Sequence, residues 1–420
     1  MILILLGTHL FFTVRLGFIQ KKVIKAVKLS ITPDSSSGQQ LSGFGALATT
    51  LAATLGTGNI VGVSTAIALG GPGAVFWCWI TGVFGMATSY AECYLSILFQ
   101  KKDKYGNCYG GPMYVLEHGL HKKGLAFFYA FCTLIASFGV GCTTQSNSIT
   151  DTTTSLWNLS PFLVGFITAI IAGLVIVGGI QSISKLCTKL VPAMGAFYLL
   201  SCLLLLWINH NFIFDSLCYI IKSAFLPSSL AGGIIGGSIT SAARYGIARG
   251  LFTNEAGLGS AAIAAAGVKT KYPEKQALIS MTATFWDTVV MCAITGLVIV
   301  SNIIKSPTSI HGYSAAGLTS AAFASIPYIG ESILGISILA FAIATLIGWS
   351  YFGERSVIYL FGAKGIKPFQ ICYIVMIFIG AIMSLDLVWE LTDFINLFMA
   401  IPNLLALILL RNRIIRPKNF

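Results

Sequence analysis

The sequence predicts an all-α polytopic membrane protein of about eleven transmembrane helices, and three observations carry that prediction. The 420 residues are 56% hydrophobic and only 10% charged, with a mean hydropathy of +0.84, where a soluble domain carries roughly 25% charged residues. Apolar runs near the roughly 20 residues that a spanning helix needs recur near 1–19, 44–69, 73–99, 124–155, 161–181, 190–208, 229–247, 276–304, 331–352, 369–386 and 390–411. Of the 26 lysines and arginines, all but Lys222 and Lys305 fall on one side of these runs.

The first run is the weakest, because its apolar stretch before Arg15 is short for a span. It has no basic n-region and no small-residue cleavage site, so it does not read as a signal peptide. The charge asymmetry orients the chain by the positive-inside rule. The N-terminus lies outside, the C-terminus is cytoplasmic, and the basic segments are 15–42, 100–123, 182–189, 244–275, 353–368 and 411–420. The net charge of +12 is therefore a topogenic signal and not a nucleic-acid surface. The 44 glycines suit closely packed helices. The ten cysteines contain no C-x-x-C pair and read as small apolar fillers, not as a disulfide or zinc framework.

The second run contains the most informative stretch, Thr54–Ile60, where Gly56 and Gly58 flank Thr57 and Asn59 follows at once. Each glycine costs a helix interior about 1 kcal/mol relative to alanine. Backbone freed at bilayer depth persists only inside protein or against a wet cavity. A break there is either a binding site for a small polar solute or ion or a close helix–helix contact. A second glycine cluster, Gly232, Gly233, Gly236 and Gly237, lies five runs later in the seventh run. An odd number of spans inverts orientation, so these two interruptions read as matching breaks in two inverted halves, although the glycines also fit plain packing.

Polar residues at depth add to this. The fourth run crowds Ser137, Thr143, Thr144, Gln145, Asn147 and Ser148 together, and the Gln145 amide offers donors and acceptors. In the ninth run Thr345 and Trp349 are four apart and share a helix face. Embedded acids are functional candidates by default. Asp287 is the deepest, and pairing with Arg244 or Arg249 is the favoured reading for it over a proton or ion role. Glu92 and Asp151 lie near span ends. The five histidines are scattered and imply no metal site or catalytic base, and no Walker A sequence or nucleophile–base pair appears. The reading is not an enzyme.

Gly56-Thr-Gly-Asn-Ile60, Gly70-Gly-Pro-Gly-Ala-Val-Phe-Trp77 and Gly110-Gly-Pro-Met-Tyr114 resemble the alanine/glycine:cation symporter family. Arg249-Gly-Leu-Phe-Thr-Asn-Glu-Ala-Gly-Leu-Gly-Ser260 and Gly348-Trp-Ser-Tyr-Phe-Gly-Glu354 are similar to that family's other signatures. The blocks occur in family order from about Arg15 to Leu410. The resemblance implies a LeuT-like fold, a 5+5 inverted repeat preceded by one extra N-terminal helix. Residues 1–42 would form that extra span and a cytoplasmic linker, 43–208 the first repeat, 229–411 the second, and 412–420 a cytoplasmic tail.

The resemblance further implies sodium-coupled import of alanine or glycine, by a monomer in the cell (inner or plasma) membrane, with no cofactor beyond the coupling ion and no nucleic-acid partner. Gly56, Thr57 and Gly58 would meet the amino acid's ammonium and carboxylate, with Asn59 beside them. Gln145, Thr345 and Trp349 match the family's polar and aromatic contacts, and Gly237 and Ser238, with Gly236, match the partner break more loosely. Sodium would lie between the second and ninth spans, on carbonyls of Ala52, Leu55 and Phe341 and the Thr345 hydroxyl. Ala344 stands where this fold often has a second hydroxyl, which leaves the ion site one ligand short. Asn254 and Glu255 read as gate or hinge residues at the inner edge. The alternatives are a proton-coupled symporter of another small amino acid, with Asp287 as the ion-linked carboxylate, and a channel.

Overall fold

In a computed structural model, the described residues are 2–32, 41–104, 106–226, 228–230, 235–310, 313–383 and 386–417. They are almost entirely helical: α1 (Ile2–Arg15), α2 (Val23–Ile31), α3 (Gly43–Thr54), α4 (Val61–Gly70), α5 (Gly73–Leu98), α6 (Lys123–Trp157), α7 (Pro161–Val177), α8 (Gly179–Ile208), α9 (Ile213–Phe225), α10 (Ile239–Asn254), α11 (Ser260–Ala265), α12 (Pro273–Lys305), α13 (Gly330–Phe361), α14 (Ile366–Ile382) and α15 (Asp386–Leu409). Six of these are long and apolar enough to cross a membrane, or eight if each of two bent pairs is one span. The bent pairs are α1 with the segment through α2, at 66°, and α3 with the segment through α4, at 61°. The helices α7 and Ile395–Leu409 within α15 are apolar but shorter. All ten cysteines are unpaired, and all but Cys218 and Cys372 are buried.

Local chemistry sets the helix ends. Ser42 caps α3, its hydroxyl accepting from the Gly45 N–H at 2.9 Å. Gly71, at φ 75°, ends α4, and Pro72 leads into α5. Pro161 and Pro273 occupy the first turns of α7 and α12, where a missing N–H costs nothing. Among the long helices, α6 carries a wide π turn at Gly139–Thr143 and α12 another at Phe285–Cys292. Such turns tend to occur where side chains must be re-aimed at a functional site.

The seventh span differs from its expected boundaries. Gly232 and Gly233 lie outside the described residues, while Gly236 and Gly237 are in a strand: Ser228–Leu230 pairs antiparallel with Ile235–Gly237, with Ser228 opposite Gly237. The helix begins afterwards, where Ser238 and Ser241 cap each other reciprocally. It runs on to Asn254 and breaks at residues 255–259, where Glu255, Gly257 and Gly259 all have positive φ (53°, 93° and 86°). Three left-handed residues within five positions cannot continue a right-handed helix. Arg244 and Arg249 therefore belong to the body of α10 and not to a loop at the basic end.

The core centres on α13, which packs on α3, α6 and α8 and buries Phe341, Trp349, Tyr351 and Phe352. Small residues permit these approaches. A Cβ on Gly348 would lie 2.6 Å from the Ala53 N of α3, and a Cβ on Gly141 would run into the Trp349 side chain. Gly348→Ala is expected to lower stability by about 1–3 kcal/mol through overpacking, read as the midpoint of thermal unfolding in detergent. Gly124→Ala, with open space around its Cβ, is the control; equal midpoints for the two variants would contradict the close α3–α13 approach.

Candidate functional site

The site is built from the interruption between α3 and α4. Gly56 is extended, at φ −127° and ψ −162°, and residues 57–59 form a single 3-10 turn. In a continuous helix the Gly56 N–H would bond the Ala52 carbonyl. Here it donates to Asn59 Oδ1 at 3.0 Å, so the Ala52 carbonyl loses its helical donor. The same amide then faces away from the break: Asn59 Nδ2 donates to Asp287 Oδ1 at 2.7 Å and to the Asp287 carbonyl at 3.2 Å. The Thr288 hydroxyl donates to the other Asp287 oxygen at 2.7 Å. Asp287 thus meets an amide and a hydroxyl next to the break in place of the expected arginine, because the π turn of α12 aims it at Asn59.

Two further spans converge on the break. Thr345 of α13 places its hydroxyl 3.3 Å from the Leu55 carbonyl and 3.0 Å from the Phe341 carbonyl. Gln145, just beyond the α6 π turn, donates its amide N–H to the Val140 carbonyl at 3.2 Å. Its amide oxygen accepts from the Thr57 hydroxyl at 3.4 Å. Gly56 sits between them, and a Cβ there would lie 2.9 Å from Thr345 Oγ1 and 3.7 Å from Gln145 Oε1. A side chain there would have to displace the Thr345 hydroxyl and would press on Gln145.

The structure thus brings Leu55, Gly56, Thr57, Gln145, Phe341 and Thr345 together, with Ala52 and Ala53 behind them against Gly348. Trp349, fully buried, closes the adjacent wall against Gly141; its indole N–H has no hydrogen-bond partner and lies beside the Glu255 carboxylate. Gly58 looks the other way, with its Cβ direction meeting Thr253 at 2.9 Å and Phe252 at 3.6 Å. Gly237 and Ser238 do not join the group. Gly237 is in the hairpin, and Ser238 is exposed and spends its hydroxyl on the α10 cap. Sequence reasoning weighed glycine number, whereas the second break is made by glycines that need positive φ, in Glu255-Ala-Gly-Leu-Gly259. Asn254 and Glu255 are therefore at that break and buried, not at an edge.

A cavity of about 610 Å³ lies next to the site. Its walls include Val61 and Gly62 just past the break, Ser148 one turn beyond Gln145, and Ile338 one turn before Phe341. Asp151, Arg249 and Glu331 also line it. A short helical segment, Ala315–Gly317 running into Leu318–Phe323, is tied to α4 nearby: the Thr319 hydroxyl donates to the Ile60 carbonyl at 2.9 Å, and Ser64 bonds Ala315 and Leu318, each at 2.8 Å.

Residues 1–419 match the sodium:alanine symporter family. The chain belongs to that family. It is 46% identical over 417 residues to the sodium/alanine symporter AgcS of Methanococcus maripaludis, a match covering 98% of this chain and 91% of the relative. Among solved structures it is similar to a Na+-coupled sialic acid symporter (TM-score 0.62, 12% identity, 99% of each chain) and to MhsT bound to L-phenylalanine (TM-score 0.60, 16% identity, 89% of each chain). Both have the LeuT fold, which is the fold of this symporter. The chain is thus a multi-pass membrane transporter of a sodium-coupled amino-acid symporter family, and not an enzyme.

Removing the Asn59 amide strips the Gly56 N–H and Asp287 of a buried partner at once, each loss costing about 1–3 kcal/mol. Asn59→Ala is therefore expected to unfold at a markedly lower temperature than the parent, while Ser238→Ala, on the exposed cap, shifts the midpoint far less. A parent-like midpoint for Asn59→Ala would show that the break does not depend on this amide.

Proposed function

We propose that this symporter imports alanine or glycine together with sodium, by alternating access around the break at residues 55–59. The observation that carries the reading is the convergence of Thr345 and Gln145 on Gly56 across three separate spans. A zwitterion needs donors for its carboxylate and acceptors for its ammonium in a small cleft. The Thr57 hydroxyl, the Gln145 amide and backbone freed at the break supply both. Trp349 closes the adjacent wall, and a wall of glycine leaves room for a hydrogen or methyl side chain only.

Sodium, a hard cation, seeks oxygen. The Ala52 carbonyl without its helical donor, the Leu55 and Phe341 carbonyls and the Thr345 hydroxyl provide four oxygens between α3 and α13. Ala344 adds none, which makes affinity for the ion the weakest part of this design. One sodium moving inward with a neutral zwitterion gains about 2.3 kcal/mol per 100 mV of membrane potential.

On this reading the two five-helix repeats span 43–208 and 229–411, the unit is a monomer in the cell membrane, and the N-terminus is outside. The cavity lined by Asp151, Arg249 and Glu331 is then the outer vestibule. The hydrogen bond from Asn59 to Asp287 favours one second reading, in which a proton on Asp287 drives uptake in place of sodium.

Uptake of labelled alanine and glycine into proteoliposomes, with sodium and proton gradients imposed separately, tests these readings. Accumulation above equilibrium that requires sodium is expected; accumulation on a proton gradient alone would support the Asp287 reading, and passive equilibration would sink both. Thr345→Val should raise the sodium concentration for half-maximal uptake, and an unchanged sodium dependence would remove Thr345 from the ion site. Gln145→Ala should weaken substrate binding in a protein that still folds. Unaltered uptake kinetics in that variant would take Gln145 out of the pocket.

A further inference from the structure

The second break, at residues 255–259, is held by a polar cluster that the reading above does not use. Glu92 of α5 directs Oε2 at the break, accepting from the Gly257 N–H at 3.1 Å and from Asn403 Nδ2 at 3.0 Å. Asn403 Nδ2 also donates to the Gly257 carbonyl at 2.9 Å, so the pair grips both sides of one glycine. Glu92 Oε1 has no hydrogen-bond partner, although the residue is 1% exposed. His9 of α1 reaches the same glycine: a Cβ on Gly257 would lie 3.9 Å from its Cε1. Its Nδ1 pairs with the Thr88 hydroxyl at 2.7 Å, one turn before Glu92, and its Nε2 is buried without a partner. The remaining titratable groups around Glu92 are Glu255, which accepts from the Ser260 hydroxyl, Cys93 on α5, and Tyr129 of α6, whose O–H donates to the Leu258 carbonyl.

Among the described residues, the hydrogen bonds to both carboxylates come from N–H and O–H groups, none of them on a lysine or arginine. Two buried carboxylates in one site cannot both stay ionised without a counter-charge, so the site calls for a cation. A sodium ion is a poor fit, because the groups aimed at Glu92 Oε2 are hydrogen-bond donors whose positive ends repel a metal. A proton fits: it needs only the one oxygen without a donor, Oε1.

We propose that Glu92 is a proton-binding latch on the second helix break, gripping Gly257 when ionised and releasing it when protonated. The proton is taken from water and returned to it, so only O–H bonds are made and broken. Hydrogen bonds to an ionised acceptor are roughly twice as strong as those to a neutral one, so protonation loosens the hold on both Gly257 and Asn403. The break must move during alternating access, and the latch thereby sets a pH-dependent rate. This inference rests on the transporter reading.

The test is alanine exchange across proteoliposome membranes at saturating sodium and varied pH, with parent, Glu92→Gln, Glu92→Asp and Glu255→Gln proteins. The parent should exchange several-fold faster on acidification, and Glu92→Gln should be fast and flat across the same range. Glu255→Gln should keep the pH dependence but move its midpoint to lower pH, since removing the neighbouring negative charge lets Glu92 lose its proton more readily. A parental pH profile in Glu92→Gln would overturn the proposal, as would a large rise in its half-saturating sodium with no change in pH profile. Infrared difference spectra of the purified proteins between acid and alkaline pH give a readout independent of transport. The parent should show a carboxylic-acid C=O band that is reduced in Glu92→Gln; an unreduced band would also overturn the latch. If Glu92→Gln does not fold, Glu92→Asp and Glu255→Gln carry the test, each expected to shift the midpoint, and unshifted midpoints in both would refute it. Absence of sodium-driven uptake by the parent at every pH would instead refute the transporter reading.

Discussion

The side-chain amide of Asn59 is the contact on which the site depends. A helix interrupted inside a bilayer must find partners for the backbone groups it releases, and Asn59 does this in two directions. Its oxygen takes the Gly56 N–H, and its nitrogen is anchored on Asp287 of a different span. The first bond keeps the turn from closing back into a helix and leaves the Ala52 carbonyl without its usual donor. The second fixes that turn to α12, whose π turn is what brings Asp287 within reach. Without the anchor, the glycines at 56 and 58 would allow many geometries; with it, they have one.

Around this turn the bundle uses small residues to bring chemistry close. Gly348 lets α13 lie directly on α3, which is why the Thr345 hydroxyl reaches the Leu55 carbonyl. Gly141, inside the α6 π turn, gives way to Trp349, and the same turn sets the position of Gln145. The packing glycines and the ligand-facing groups are therefore parts of one arrangement: filling a glycine moves a polar group. The second break follows different physics. Its glycines are required for positive φ, and its grip comes from Glu92 and Asn403, contributed by α5 and α15.

The contrast between the two breaks explains how far the sequence could be read. Gly56-Thr-Gly-Asn59 interrupts a long apolar run with residues that a helix disfavours, and Gln145 and Thr345 stand out as polar groups in apolar spans. Each of these signals is local. At the second break the densest glycine cluster, Gly232–Gly237, was the stronger local signal, yet its described part forms a hairpin outside the helix. The true interruption contains only two glycines and a glutamate in a left-handed conformation, which glycine counting does not detect. The pairing of Asp287 was equally out of reach, since Arg244 and Arg249 are as plausible by composition as an asparagine 228 positions away.

Sequence by itself determined the class of the protein, the first break and the polar residues that face it. It could do so because hydrophobic run length, glycine propensity and misplaced polarity are properties of a chain segment. Only the tertiary structure decided where the second break lies, which groups tie each break to its neighbours, and that Ser238 and Gly237 stand apart from the site. Those outcomes depend on which helices lie side by side and on where π turns re-aim side chains, and contacts between residues hundreds of positions apart leave no trace in local pattern.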